Sequence, residues 1–246
     1  MPELQVVLVN PLYEGNVGSV ARVMKNFGHT RLALVDPCPL GNEARAMASH
    51  AQDVLDNARR VTLDEVVAES AIVVATTGEV SKSVCTPTRM PYFSPSEVRE
   101  MVNEVEGTVS VLFGRENRGL SNDELARTGI VCTIPTSPVY PILNLSHAVG
   151  ILCYEFARLE RGTYALASPF EMECLYAHLD RFLDRIEHPA HKRAITLLLA
   201  RRLLSRAMPT IREASTIHGL LRRTELLLDD RVPRNDDDVG SPRDMR

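Results

Sequence analysis

Up to about Glu160 the chain alternates short β-branched runs with stretches of helical spacing, and beyond that point no strand-like run recurs. This alternation constrains the fold more than any other feature, because βαβ units bury their strands on both faces and require a mainly parallel sheet. Strands are expected at 5–9, 31–35, 71–76, 108–113 and 131–134, and helices at 17–27, 63–68, 96–105, 122–127 and 145–161. The fourth of these helices opens on an acid-rich cap, Ser121-Asn122-Asp123-Glu124. Gly162 and Pro169 then break the helical pattern, so 162–169 read as a linker. Beyond it, Leu175, Leu179, Phe182, Leu183 and Ile186 share one helical face, and Pro189 and Pro209 punctuate two further helices. The expected organisation is therefore an α/β domain over 1–161, a helical extension over 170–228 and a tail over 229–246. That tail is charged, bears prolines, has few large apolar groups, and is expected to be disordered.

A chain of 246 residues that is 44% hydrophobic can bury a sizeable core. No apolar run reaches the roughly 18–20 residues that span a bilayer, and Met1-Pro2-Glu3 does not begin a signal peptide, so a cytoplasmic protein is expected. Cys38, Cys85, Cys132, Cys153 and Cys174 are scattered and odd in number, which indicates neither a disulfide framework nor a cysteine-rich zinc site. His188 and His191 have Pro189 between them and no third ligand nearby, so no metal is expected.

The net charge of -4 is unevenly spread. Residues 1–160 carry 13 Lys+Arg against 19 Asp+Glu, whereas residues 161–228 carry 11 against 7. Between Lys192 and Arg223, eight cations face one acid, Glu213. Such clustering fits either a polyanion partner or a solvated helical face.

Three loops follow strands. The first, Asn10 to Gly28, fails as a dinucleotide fingerprint because its glycines, Gly15 and Gly18, do not follow the G-x-G-x-x-G spacing, and it lacks the Gly-Lys-Ser/Thr ending of a P-loop. Asn16 and Gly18 at a helix start, with Arg22 one turn further, fit either an anion site or a structural glycine turn. The second, Leu112 to Leu125, carries Gly114, Arg115, Glu116 and Gly119. The third, Ile134 to Val149, is punctuated by prolines and enters a helix through Asn144 and Ser146. Loops at strand carboxyl ends are where open α/β sheets bind ligands, so the three suggest one composite pocket.

The ordered set N-x-G-S-x-A-R, F-G-x-E-x-x-G-L-S and L-N-L-S-x-A-V resembles the three signature motifs of the SPOUT class of RNA methyltransferases. The likeness is greatest to the tRNA 2'-O-ribose methyltransferases that modify position 32 of the anticodon loop; it is strong over residues 5–160 and looser over His188–Ala207. The resemblance implies an α/β fold with an open, mainly parallel sheet and a deep C-terminal trefoil knot, although knots are exceptions to ordinary chain topology. It implies S-adenosylmethionine as cofactor, held by Thr76, Thr77, Gly78, Gly114, Ile134, Ile142, Leu143, Asn144 and Leu145, with a homodimer completing the pocket and tRNA as partner. Apolar Ile134, Ile142 and Leu145 suit the faces of an adenine ring.

By the same resemblance, catalysis falls to Arg22, Asn16 and Glu116. The family often makes the motif-one arginine a base, but a guanidinium is essentially always protonated, so fixing a phosphate or orienting the hydroxyl is the alternative. Glu116 is then expected to be the acid paired to Arg22. Ile142 stands where relatives often carry serine. RNA contacts are expected from Arg115, Lys192, Arg193, Arg201, Arg202, Arg206, Arg222 and Arg223. Tyr13 and Tyr140 flank the motif loops and suit either a structural role or contact with a flipped nucleotide, and His147 reads as a packing or capping residue. The competing readings are a 2'-O-methyltransferase of ribosomal RNA or of another tRNA position, and a non-catalytic RNA-binding protein on the same fold.

Overall fold

The computed structural model of the chain describes residues 2–78, 91–157 and 165–229. Its strands are β1 (Glu3–Val9), β2 (Arg31–Val35), β3 (Arg59–Arg60), β4 (Ile72–Thr76), β5 (Tyr92–Phe93), β6 (Thr108–Phe113) and β7 (Ile130–Cys132). They form one 7-stranded sheet in the order β3-β2-β1-β6-β4-β7-β5, parallel at every pairing. The five longer strands fall where the β-branched runs place them. β3 and β5 were not expected, because two residues carry no period.

β4 and β5 follow one another in the chain, yet β7 lies between them. A threaded C-terminal segment needs this order. Residues 79–90, which include Cys85, lie outside the described residues, as do 158–164 of the expected last helix and linker, and 230–246 of the expected tail.

The helices are α1 (Glu14–Asn26), α2 (Asn42–Ala48), α3 (Gln52–Asp56), α4 (Leu63–Glu69), α5 (Pro95–Val102), α6 (Asn122–Ala126), α7 (Leu145–Phe156), α8 (Pro169–Arg185), α9 (Ala190–Ala207) and α10 (Ile211–Asp229). Capping boxes start five of them, α10 through Thr210 and Glu213. Thr62, Ser94, Ser121 and Ser168 each accept from the amide three residues on, and a glutamate there reaches back to the cap. Asp229, assigned to the tail from the sequence, is the last residue of α10 and pairs with Arg185.

α2 and α3 were not anticipated. Their buried face on α1 consists largely of Ala44, Ala48, Ala51 and Val54, a small-residue stripe with a weak hydrophobic signal. α1 also starts earlier than its apolar spacing suggests, at Glu14. Its second glycine serves close packing: a Cβ on Gly18 would stand 2.1 Å from the Ala44 carbonyl oxygen. Gly18 therefore lies inside α1 as the contact point with α2, and the anion site imagined at its amide gives way to the structural reading.

The strands are buried on both faces, as parallel sheets require. Leu4, Val6 and Leu8 of β1 join the larger core with Val17, Val20 and Met24 of α1 and Val149, Leu152 and Phe156 of α7. Val7 and Val9 point the other way, to a smaller core with Val66 of α4 and Leu125 of α6. Because every pairing is parallel, each strand's carboxyl end delivers its loop to the same edge of the sheet.

The extension has a small core of its own, Ala167, Leu175 and Ala214. It docks on the α/β part through α9: a Cβ on Gly129, just before β7, would lie 1.6 Å from Ser205 Cβ, and Arg202 Nη2 donates to the Pro91 carbonyl at 3.1 Å. Among the described residues no helix is long and apolar enough to cross a membrane.

Candidate active site

The loops after β4, β6 and β7 enclose a cavity of about 200 Å³. Of the nine residues assigned to the cofactor, Thr76, Thr77, Gly78, Gly114, Ile134, Ile142, Leu143 and Leu145 line it, while Asn144 lines an adjoining open cleft of about 650 Å³. Glu116, Pro141, Ile142, Leu143 and Leu145 border both spaces. Hydrogen bonds hold the loops together. Thr77 N donates to the Cys132 carbonyl at 3.0 Å, and Thr133 Oγ1 to the Thr77 carbonyl at 2.9 Å. Gly114 allows the tight turn after β6, since a Cβ there would meet the Gly119 carbonyl carbon at 2.1 Å. Cys132 lines the cavity too, but burial pushes its thiol up to about 12, which removes it as a nucleophile.

At the seam between cavity and cleft, a hydrogen-bonded chain joins the three motif loops. Asn144, the N-cap of α7, accepts from Ser146 N at 2.9 Å and from Ser146 Oγ at 2.8 Å. Its Nδ2 donates to Asn16 Oδ1 at 3.2 Å, and Asn16 Nδ2 donates to Glu116 Oε1 at 2.8 Å. The other Glu116 oxygen accepts from Leu12 N at 2.9 Å. Glu116 is thus not the partner of Arg22. Its carboxylate is held at the amino-terminal end of α1 by Leu12 N and Asn16 and makes no ion pair with Arg22, which is exposed two turns down that helix. Arg22 makes no ion pair among the described residues.

The pattern of the SpoU rRNA Methylase family matches residues 3–154, the span that supplies all three loops. This chain belongs to the SpoU methylase family. The likeness of this SpoU methylase to known proteins extends beyond that span. It is 39% identical over 223 residues to the tRNA (cytidine-2'-O-)-methyltransferase TrmJ of Methanocaldococcus jannaschii, covering 87% of this chain and 96% of that one. It is 37% identical over 240 residues to the tRNA (cytidine/uridine-2'-O-)-methyltransferase TrmJ of Yersinia enterocolitica, covering 90% and 91%. The crystal structure of TrmJ from Z. mobilis ZM4 superposes with a TM-score of 0.72 at 32% identity, covering 92% of this chain and 99% of that one.

The cations expected to contact RNA divide sharply in this SpoU chain. Arg115 is spent internally: it pairs with both oxygens of Glu124 and also donates to Asn10 Oδ1, tying the second loop to the end of β1. Although burial raises the Glu124 carboxyl, the hydrogen bonds from Arg115 and Ser121 bring it below its usual range. Arg193 is held by Asp180 and Asp184, and Arg201 is held by Glu173 and lies 4.2 Å over the Tyr176 ring. Arg202 is 1% exposed, with Nε and Nη1 unpartnered, and burial lowers its guanidinium to about 10. These four placements correct a reading that counted charges without their partners. Lys192, Arg222 and Arg223 are exposed and Arg206 half-exposed, with no ion pair among the described residues.

Sequence reasoning passed over several site residues of this SpoU methylase. Asn117 and Arg118 line the cavity, and the motif-two loop that contains them was itself the signal. Glu43 and Met47 line the cleft from α2, and nothing in the sequence marks them.

Proposed function

We propose that this SpoU methylase transfers a methyl group from S-adenosylmethionine to the ribose 2'-hydroxyl of a pyrimidine nucleotide in tRNA, at position 32 of the anticodon loop, and acts as a homodimer. The observation that carries this reading is the Asn144–Asn16–Glu116 chain, set where the cavity meets the neighbouring cleft. The tRNA address rests on the two TrmJ relatives and on the exposed cations of the extension.

The cavity suits the cofactor chemically. Ile134, Ile142 and Leu145 supply apolar walls, and Gly78 keeps one side open, since a Cβ there would stand 2.8 Å from Ile142 Cδ1. When bound, the cofactor supplies a sulfonium-borne methyl group that needs no further activation. The protein's task is alignment and handling of the hydroxyl proton. Glu116 borders both spaces and is an acceptor, so it orients the 2'-hydroxyl and takes up its proton as the methyl passes from sulfur to oxygen, while Asn16 fixes the carboxylate and Asn144 fixes Asn16. Arg22, exposed on α1, offers a planar fork for a backbone phosphate.

The family's own description names rRNA, which makes ribosomal RNA the competing substrate. Incubation of the purified protein with S-adenosylmethionine and, in parallel, unmodified tRNA or unmodified ribosomal RNA, followed by mass mapping of 2'-O-methyl groups, tests the proposal. One methyl at position 32 is the expected result; transfer to ribosomal RNA alone overturns it.

A further inference from the structure

The open cleft contains groups that methyl transfer as described does not use. Tyr13 is 62% exposed, Tyr140 81% and Met47 47%, and all three border it. Among the described residues neither tyrosine ring packs on another aromatic ring. Exposed tyrosines beside a strand-binding groove are stacking platforms for unstacked bases, and stacking accepts every base alike. Stacking alone therefore does not choose one.

A second feature of the cleft is polar. Three carboxylates cluster around the start of α1, and two are engaged: Glu14 accepts from the amides of Gly41 and Ala44, and Glu116 from Leu12 N and Asn16. Glu43 lines the cleft with no hydrogen bond or ion pair among the described residues. Its carboxylate crosses over Gly15, where a Cβ would come within 2.6 Å of Glu43 Oε1. Gly15 thus forms a floor without a side chain, next in sequence to Asn16 and the reacting end of the cleft.

An unpaired carboxylate facing a polyanion is unfavourable unless a donor is brought to it. Being an acceptor only, it repels phosphate but matches an exocyclic amine. Of the two pyrimidines that the proposed function allows, cytosine presents a 4-amino donor and uracil a 4-oxo acceptor at the same position. We propose that the cleft is a nucleobase subsite in which Tyr13 and Tyr140 stack the target base and Glu43 accepts from the 4-amino group of cytosine, making Glu43 a specificity-determining residue. This inference rests on the tRNA methyltransferase reading and adds the choice of base.

The test compares single-turnover methylation, at saturating S-adenosylmethionine, of tRNA transcripts carrying cytidine or uridine at the methylated position. The parent should favour cytidine by about tenfold or more, the discrimination one good base contact supplies. Glu43→Gln should shrink that ratio about tenfold, because a carboxamide turns either to accept from the amine or to donate to the 4-oxo group. Glu43→Ala should lose rate on cytidine without gaining on uridine, and Tyr140→Ala should slow both transcripts alike. Cofactor affinity, measured by calorimetry, should not change in the Glu43 variants. A parent that treats both transcripts equally, or a ratio unmoved in both Glu43 variants, overturns the subsite and leaves Glu43 as the first-turn acid of α2. A parent that methylates neither transcript instead overturns the tRNA reading, a failure of a different and recognisable kind.

Discussion

Asn16 Nδ2 and Glu116 Oε1 meet at 2.8 Å across 100 residues of chain, and this bond joins the first turn of α1 to the loop after β6. Because Glu116 also accepts from Leu12 N, its carboxylate is held from two directions before any substrate arrives. Preorganised acceptors of this kind need no rearrangement at the moment of reaction.

The two residues should therefore act as one unit. Asn16→Ala and Glu116→Ala should each lower single-turnover methyl transfer by roughly 10²-fold or more, the scale of a general acid–base contribution. The double variant should be no slower than the worse single. A double-mutant cycle checks this, with a coupling of about 1 kcal/mol or more expected; strictly additive losses would mean that the pair is only coincidentally close.

Arg22 separates charge from geometry. It is exposed and unpaired among the described residues, so Arg22→Lys and Arg22→Ala should both stay within about 0.5 kcal/mol of the parent in stability. Arg22→Lys should keep much of the RNA affinity yet lose most of the transfer rate, because a point charge cannot reproduce two fixed donors. Near-parental single-turnover rates in the lysine variant would reduce Arg22 to a generic phosphate anchor.

The cofactor cavity is best probed at Gly78. A Cβ on Gly114 would collide with the backbone of its own loop, so substitution there confounds folding with binding. At Gly78 the close contact of the added methyl among the described residues is the far end of the Ile142 side chain, at 2.8 Å. Gly78→Ala should weaken S-adenosylmethionine binding several-fold in calorimetry, with an unchanged melting transition.

The basic extension should divide as its ion pairs do. Replacing Lys192, Arg222 and Arg223 together by glutamine should weaken tRNA binding and flatten its salt dependence, by up to about 0.9 in slope for each duplex phosphate that the protein then leaves to counterions. Arg202→Met should leave both unchanged. It also removes two unpartnered buried donors and keeps the length of the side chain, so stability should hold or rise. Binding curves at several salt concentrations check both expectations.

His29 gives the fold an acid-side weakness. Burial lowers its pKa below the ordinary 6.5, against the opposing effect of its contact with the Cys153 carbonyl at 3.2 Å. The unfolded chain therefore binds the proton more readily, and stability falls as pH drops through 6.5 toward the lower folded value. His29→Gln should flatten that part of the stability profile, measured by denaturant titration at pH 5 to 8, and leave the alkaline side alone.

The alternation of β-branched runs with helical spacing was sufficient to determine a parallel α/β sheet, because burial on both faces makes each strand a continuous apolar run and the crossovers between them carry the helical period. The second and third motif loops were equally legible, since Gly114, the prolines and the Asn144 cap are local requirements of turns at strand ends, whereas the motif-one glycines serve the packing of α2 on α1. Tertiary structure alone decided which side chains are partners. From composition Arg202 is a cation like Lys192, yet α9 lies against Pro91 and buries it, while Lys192 stays in water. Glu116 is an acid one motif away from an arginine in the sequence, but the loop after β6 brings it to Asn16 and Leu12 instead. Glu43 has no motif at all and reaches the cleft only because Gly15 and Gly18 let α2 settle onto α1. Period and turn chemistry are properties of neighbouring residues, and a sequence displays them; a charge finds its partner through distances that exist only once the sheet and its helices have packed.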